Sequence, residues 1–216
     1  MLKIKFLPGI ALLMFLSSCG GGPSPGGSGT LLPNITGTAG EVLIVMDNNI
    51  WREKPGLILK EMLEQEFPAL PQPEPLFDVI QISPGAFDEL FKRHRSIIIV
   101  DIGSENINPE IRFLENIWAR PQLVIRINAG NGDALAKLLT ESTDKILLNL
   151  QSYDRKRLIE LFKSSKDPGI KSNLGKLHID LAVPRGYRMD VNTDEFVMFS
   201  IESPKTSQTV FVYRTP

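Results

Sequence analysis

Thiols and imidazoles are nearly absent: the chain holds one cysteine and two histidines. A single cysteine excludes a disulfide framework within the chain, and with it a Cys-rich metal site. Positive charge is not in excess either. The 24 Lys+Arg stand against 25 Asp+Glu, a formal net charge of −1. That excludes the basic stripe of a nucleic-acid binder and an electrostatic hold on anionic lipid. No Ser/His/Asp set is ordered on a strand-to-helix Gly-Xaa-Ser-Xaa-Gly elbow. Gly37-Thr38-Ala39-Gly40 precedes a strand-like run instead of following one, so it is not a phosphate loop. No internal repeat stands out.

What is present begins at the N-terminus. Lys3 and Lys5 lead into an apolar run from Phe6 to Leu16. Those eleven residues are too few for a membrane-spanning helix, which needs roughly 20. The run reads as the apolar part of a secretory signal, residues 1–18. It ends in Leu16-Ser17-Ser18-Cys19, which resembles a bacterial lipobox. The only cysteine sits where a lipobox requires it. The expectation is cleavage before Cys19 and acylation of Cys19, and two or more chains hold a protein stably at a membrane. An acylated Cys19 also removes cysteine nucleophiles. Gly20 to Gly29 contain only Gly, Pro and Ser. Nothing there can be buried, so residues 19–36 read as a flexible tether, ten residues of which reach roughly 15–20 Å. Gly rather than Asp at position 20 resembles the outer-membrane sorting signal of diderm bacteria. No acidic residue occurs between Cys19 and Glu41, which favours the periplasmic face over surface export. Removing Lys3 and Lys5 from the 24 basic residues leaves 22 against 25 acidic ones, a formal charge of −3 on the mature chain.

The body predicts an α/β (α+β) fold. Glu41–Met46 and Ile97–Ile102 are short, β-branched apolar runs, as expected of strands buried on both faces. Phe77–Ile82 and Leu123–Ile127 read as further strands. Leu59, Leu63 and Phe67 share one helical face and Pro68 ends it. Ser83-Pro84 reads as a helix start, with Phe87, Leu90, Phe91 and His94 on one side. Residues 107–118 fit either a helix start at Asn108-Pro109 or strand alternation through Ile111 and Phe113. Asp133–Glu141 and Asp154–Ser164 read as helices, the second with Leu158, Leu161 and Phe162 buried. The alternation predicts a mixed, largely parallel sheet with flanking helices over residues 40–165. Composition shifts near Pro168, which divides an α/β domain (37–167) from a β-rich segment (168–216). Strands are expected there at Leu177–Val183, Glu195–Ile201 and Thr209–Tyr213.

Candidate ligand-binding residues follow from this order. Asp47 and Asn48 end the first strand, and Asp101 and Ser104 end the third. In open parallel sheets the carboxyl edge is where ligands bind. Paired carboxylates there could hold a divalent metal or act as acid and base in a hydrolase. Turn chemistry and capping account for the same residue types. Trp51, just after the turn, could stack on a sugar or peptide, although packing is commoner. His94 reads as a packed imidazole. His178 and Asp180 would share a strand face, with no third ligand visible. No catalytic or metal residue and no cofactor is assigned.

Several clusters resemble a Bacteroidetes lipoprotein family of unknown function, DUF4837. They are Gly40–Asp47, Trp51, the proline cluster from Leu70 to Asp78, Arg95–Asp101 and Trp118-Ala119-Arg120-Pro121-Gln122. The resemblance spans most of residues 36–215 and carries no catalytic residue. It implies a C-terminally truncated product, because members of that family continue further. The expectation is an outer-membrane lipoprotein facing the periplasm that binds or helps assemble envelope components. Its partners would be the membrane, through the anchor, and an envelope protein or glycan. No nucleic acid is expected among them. The alternative expectation is the metal-assisted hydrolase.

Overall fold

The computed structural model describes residues 31–215 except Ala69, Ile107, Lys166 and Lys205. Cys19 and residues 20–29 of the tether lie outside the described residues. Two sheets are present. The first has five strands: β1 (Glu41–Val45), β2 (Asp78–Ile82), β3 (Ser96–Ile102), β4 (Glu110–Glu115) and β5 (Leu123–Ala129). Their order is β2-β1-β3-β5-β4, parallel except for β4, which runs antiparallel to β5. The fold is therefore mixed α/β with a mostly parallel sheet.

The apolar runs explain the centre of this sheet. Successive strand residues face opposite sides. Val42 and Ile44 enter one core with Ile98, Val100 and Ile125. Leu43 and Val45 enter the other with Ile97 and Val124. Only a residue run apolar at every position can satisfy both.

The two faces are covered differently. Helices α1 (Asn48–Arg52), α2 (Lys54–Glu64), α3 (Gly132–Glu141) and α4 (Thr143–Ser165) follow the strands. Leu59 and Leu63 of α2, Leu135 and Leu139 of α3, and Ile146 and Leu150 of α4 fill the first core. On the other side Phe87, Phe91 and Trp118 pack on the sheet. The helix expected from Ser83 does not form. Two short 3₁₀ turns, Pro84–Ala86 and Phe91–Arg93, replace it. Asp88 is the physical reason. Its Oδ1 accepts from the Leu90 and Phe91 amides, and such a local bond competes with helix continuation. Phe87 then meets Trp118 edge-on at 5.5 Å between ring centres.

Two further expectations are corrected and one open alternative is decided. The helix beginning at Asp154 starts at Thr143, and its buried stripe is Ile146, Leu150, Tyr153 and Arg157. Leu158 and Leu161, expected inside, are 47% and 59% exposed. Phe67 lies beyond the end of α2 and is exposed. Within the stretch left open between helix and strand, Glu110–Glu115 is a strand: β4 forms a hairpin with β5 through a loop containing the cis Arg120–Pro121 peptide.

The second sheet is antiparallel: β6 (Arg188–Asn192), β7 (Phe196–Glu202) and β8 (Ser207–Tyr213), in that order. Leu177–Val183 is not one of its strands. A helix, α5 (Pro168–Gly175), precedes it, capped by Asp167, whose side chain accepts from the Gly169 and Ile170 amides. His178 then turns the chain with a φ of 59°. His178 and Asp180 therefore share no strand face. Leu177 and Val183 are buried all the same, against Ile170, Leu174, Val197 and Phe199. Ile179 is half-buried and Leu181 exposed, so the alternation marks burial only at its two ends.

Candidate functional site

The strand-end residues come first. Val45 of β1 is in register with Ile99 of β3, so Asp47, just after β1, and Asp101, near the end of β3, lie at the same edge. Asp47 is occupied: its Oδ1 accepts from the Asn49 amide at 2.8 Å, capping α1. Asn48 Oδ1 accepts from Gln81 Nε2 at 3.0 Å, and the same amide nitrogen donates to the Met46 carbonyl at 2.9 Å. Trp51 is half-buried against the first core. Its carbonyl lies so near Gly56 that a Cβ there would collide with it, which fixes α1 against α2. Asp101 and Ser104 are exposed. Among the described residues no three His, Cys, Asp or Glu side chains come together as metal ligands. Asp47 thus serves as a helix cap and Asn48 as a link to Gln81 on β2.

The opposite edge, where the parallel strands begin, holds a continuous polar network that sequence reasoning missed. Its centre is the pair Asp154 and Arg157 on α4. Asp154 Oδ1 accepts from Arg95 Nη2 at 3.0 Å and from Arg157 Nη1 at 2.6 Å. Its Oδ2 accepts from the Gly40 amide at 3.1 Å. Arg157 donates through Nε to the Pro121 carbonyl at 3.1 Å and through Nη1 to Ser96 Oγ at 3.1 Å. Its Nη2 donates to the Arg95 carbonyl. One guanidinium thus ties the starts of β3 and β5 to α4, while Asp154 ties in the start of β1. Arg157 lies over the Tyr153 ring, 4.8 Å from its centre. Burial pulls the Arg157 pKa down, and the Asp154 carboxylate works against that shift. Burial, followed by a hydrogen bond to Glu115, pushes Tyr153 up to about 12.

Two further groups extend the network. His94 is buried, with Nε2 2.7 Å from Glu41 Oε1 and Nδ1 2.9 Å from the Ser96 carbonyl. The Ser96 amide also lies 3.4 Å from Nδ1, so both ring nitrogens have polar neighbours. The His94 hydrogen bond is the largest cause of a lowered Glu41 pKa. Gln122 is fully buried. Its Nε2 donates to the Lys92 and His94 carbonyls, both at 2.7 Å, and its Oε1 accepts from the Trp118 and Ala119 amides at 2.9 and 3.3 Å. All four hydrogen-bonding positions of the amide are used.

Above this network lies a cleft of about 560 Å³. Ile35, Ala39, Pro121, Leu158 and Leu161 give it apolar walls, and Arg95, Asp154 and Arg157 also line it. The exposed leucines of α4 border this cleft. The Trp118–Gln122 stretch, noted in the sequence only for a family resemblance, supplies the Pro121 carbonyl and the Gln122 amide. Arg157 also completes a helical stripe at spacings of four, three and four from Ile146. The arrangement can hold the strand starts rigid and present an apolar cleft beside them. Arg95 and Arg157 are both paired with Asp154, while Arg155 also lines the cleft and Arg95 Nε is buried with no hydrogen-bond partner among the described residues.

No curated protein and no solved structure matches the chain. The resemblance to DUF4837 is corrected by the family comparison, which finds a different family and no match to DUF4837. The truncation inferred from that resemblance loses its support as well. The matching family model covers residues 36–163, which takes in the whole parallel sheet and every member of the polar network from Gly40 to Arg157. By that match the chain belongs to DUF8532, a family defined by a domain of unknown function.

Proposed function

We propose that the protein is a lipid-anchored, non-catalytic binding or assembly module of the bacterial envelope, held at Cys19 on the periplasmic face of the outer membrane. The observation that carries this reading is Leu16-Ser17-Ser18-Cys19 followed by ten residues of Gly, Pro and Ser. A lipobox and a tether of this composition keep a folded body within roughly 15–20 Å of the headgroups. The apolar cleft beside Leu158 and Leu161 is the feature of that body suited to a partner, because ligand sites are concave and mostly apolar. An envelope protein or glycan is the partner class.

The test is direct. The full chain is expressed in a diderm host with an alkyne-bearing palmitate, then fractionated. The expected result is a fatty-acylated Cys19 at the mature N-terminus, outer-membrane recovery, and protease resistance in intact cells. Cys19→Ala should lose the label and leave the membrane fraction. A chain secreted without acyl groups, or one digested on intact cells, overturns the anchor or its orientation respectively.

A further inference from the structure

The second sheet has two edges, and they are built differently. The β6 edge is irregular: its register shifts between Met189 and Val191. It also carries charge, with Arg188 Nε donating to Asp190 Oδ1 at 2.8 Å. A bulge and charged side chains are the usual protections of an edge strand. The β8 edge has neither. Ser207-Gln208-Thr209-Val210-Phe211-Val212-Tyr213 contains no charged residue and no proline, and its pairing to β7 is unbroken from Ser207 to Tyr213.

The open backbone groups of β8 can be identified. Arg214 N donates to the Glu195 carbonyl at 2.9 Å, and Thr206 accepts from the Ser203 amide at 2.8 Å. In an antiparallel ladder, residues alternate between bonding to one neighbour and pointing away from it. Even-numbered residues of β8 therefore bond to β7. The amides and carbonyls of Ser207, Thr209, Phe211 and Tyr213 point to the open edge. The side chains of these four residues lie on one face, where Phe211 and Tyr213 are 58% and 60% exposed and stack with 6.2 Å between ring centres.

We propose that β8 pairs antiparallel with β8 of a second copy of this chain, joining two three-stranded sheets into one of six about a two-fold axis at Val210. The strand is self-complementary in three ways. The register that pairs all seven residues sets Ser207 opposite Tyr213 and Thr209 opposite Phe211, so each ring meets a small side chain. It pairs open backbone groups only with open backbone groups. It brings no like charges together. The diagonal Phe211 rings come within aromatic reach and extend the stack that Phe211 makes with Phe196, 6.3 Å between ring centres. This surface lies outside residues 36–163 and does not depend on the anchor or the cleft.

The test uses the full chain with Cys19→Ser, so that no native thiol competes. Sedimentation over a concentration series should show a monomer–dimer equilibrium. Thr209→Lys, on the open edge, should weaken dimerisation roughly tenfold or more, because each copy gains an unmatched charge inside the pairing. Its circular dichroism and Tm should stay at the parent values. Val210→Cys should cross-link to its own copy under mild oxidation, since directly opposed residues of a non-bonded pair are about 4.5 Å apart. Ser207→Cys alone should not, because it faces Tyr213. A parent chain that stays monomeric over the series, a dimer indifferent to Thr209→Lys, or equal cross-linking at Ser207 and Val210 would each overturn the proposal.

Discussion

The two sheets manage their exposed backbone in opposite ways. The parallel sheet starts three strands at one edge and ties them together with charged side chains: Asp154, Arg157 and Arg95 around Gly40, Ser96 and Pro121. Its outer strands carry Asp78 on β2 and Glu110, Arg112 and Glu115 on β4. The C-terminal sheet has an apolar core centred on Phe199, Val197 and Leu174, buries one serine, Ser200, which donates to Asp190, and leaves β8 without charge. Polar groups buried in the first region make it specific and brittle. The second region is simpler and leaves association open. The contrast implies that damage to the first sheet appears in stability, whereas damage to the outer face of the second appears in assembly.

The largest effect is expected at Asp154. Asp154→Ala would leave Arg157, only 7% exposed, without its carboxylate. Removing one partner of a buried ion pair costs about 3–5 kcal/mol. Urea unfolding should show the loss as a lower midpoint with an unchanged slope. A loss below about 1 kcal/mol, the range of exposed ion pairs, would show that the network contributes no more than those do. Gln122→Leu comes next. It removes the partners of two carbonyls and two amides at once, and each unsatisfied buried group costs roughly 1–3 kcal/mol. Relaxation and water entry reduce the sum, so a loss of about 2–4 kcal/mol is expected in the same experiment.

Why the parallel sheet was legible and its network was not follows from distance along the chain. β1, β3 and β5 must be apolar on both faces, and that demand shows in any short window around Ile44, Ile98 or Ile125. The network joins residues as far apart as Gly40 and Asp154, 114 positions along the chain, and no local pattern encodes such a pairing. The same reasoning covers the failures. Ser83-Pro84 looked like the start of one helix, and the Asp88 side chain instead broke that segment into turns. Leu158 and Leu161 looked like a core stripe because leucine is the usual occupant, but Arg157 takes the buried position and the leucines border the cleft. At the strand ends, Asp47 and Asn48 have the residue types of a site and serve as a cap and a link. Leu177–Val183 shows the limit of period-two alternation: its two ends, Leu177 and Val183, are buried, Leu181 is exposed, and the backbone forms no strand.

The Glu41–His94 pair gives a pH dependence of definite sign. The Glu41 pKa is lowered in the folded chain from an ordinary 4.5, chiefly by the His94 hydrogen bond. A lowered carboxyl pKa contributes stability that is complete above the unfolded value and disappears as pH falls through the folded value. Stability should therefore drop below about pH 4.5 more steeply in the parent chain than in Glu41→Gln. Urea midpoints measured from about pH 6 down to pH 3 check this, and parallel curves for the two proteins would remove Glu41 from the account.

The smallest effect on stability is expected where the second sheet is most apolar. Phe211→Ser removes a ring that is 58% exposed and rests against Phe196 and Tyr213 on the outer face. Substitutions outside a packed core usually change stability by no more than about 0.5 kcal/mol. A ring lost from Phe199, on the inner face of the neighbouring strand, would cost about 3–5 kcal/mol. Two phenylalanines on opposite faces of one β-ladder, Phe199 paired with Val210 and Phe211 paired with Met198, thus separate the two properties. Thermal melts of dilute protein should leave Phe211→Ser near the parent and lower Phe199→Ala by many degrees. Sedimentation at high concentration should separate Phe211→Ser from the parent instead. If Phe211→Ser lowers the melt as much as Phe199→Ala does, the outer face is part of the folded core and the division between a stabilising region and an assembling one fails.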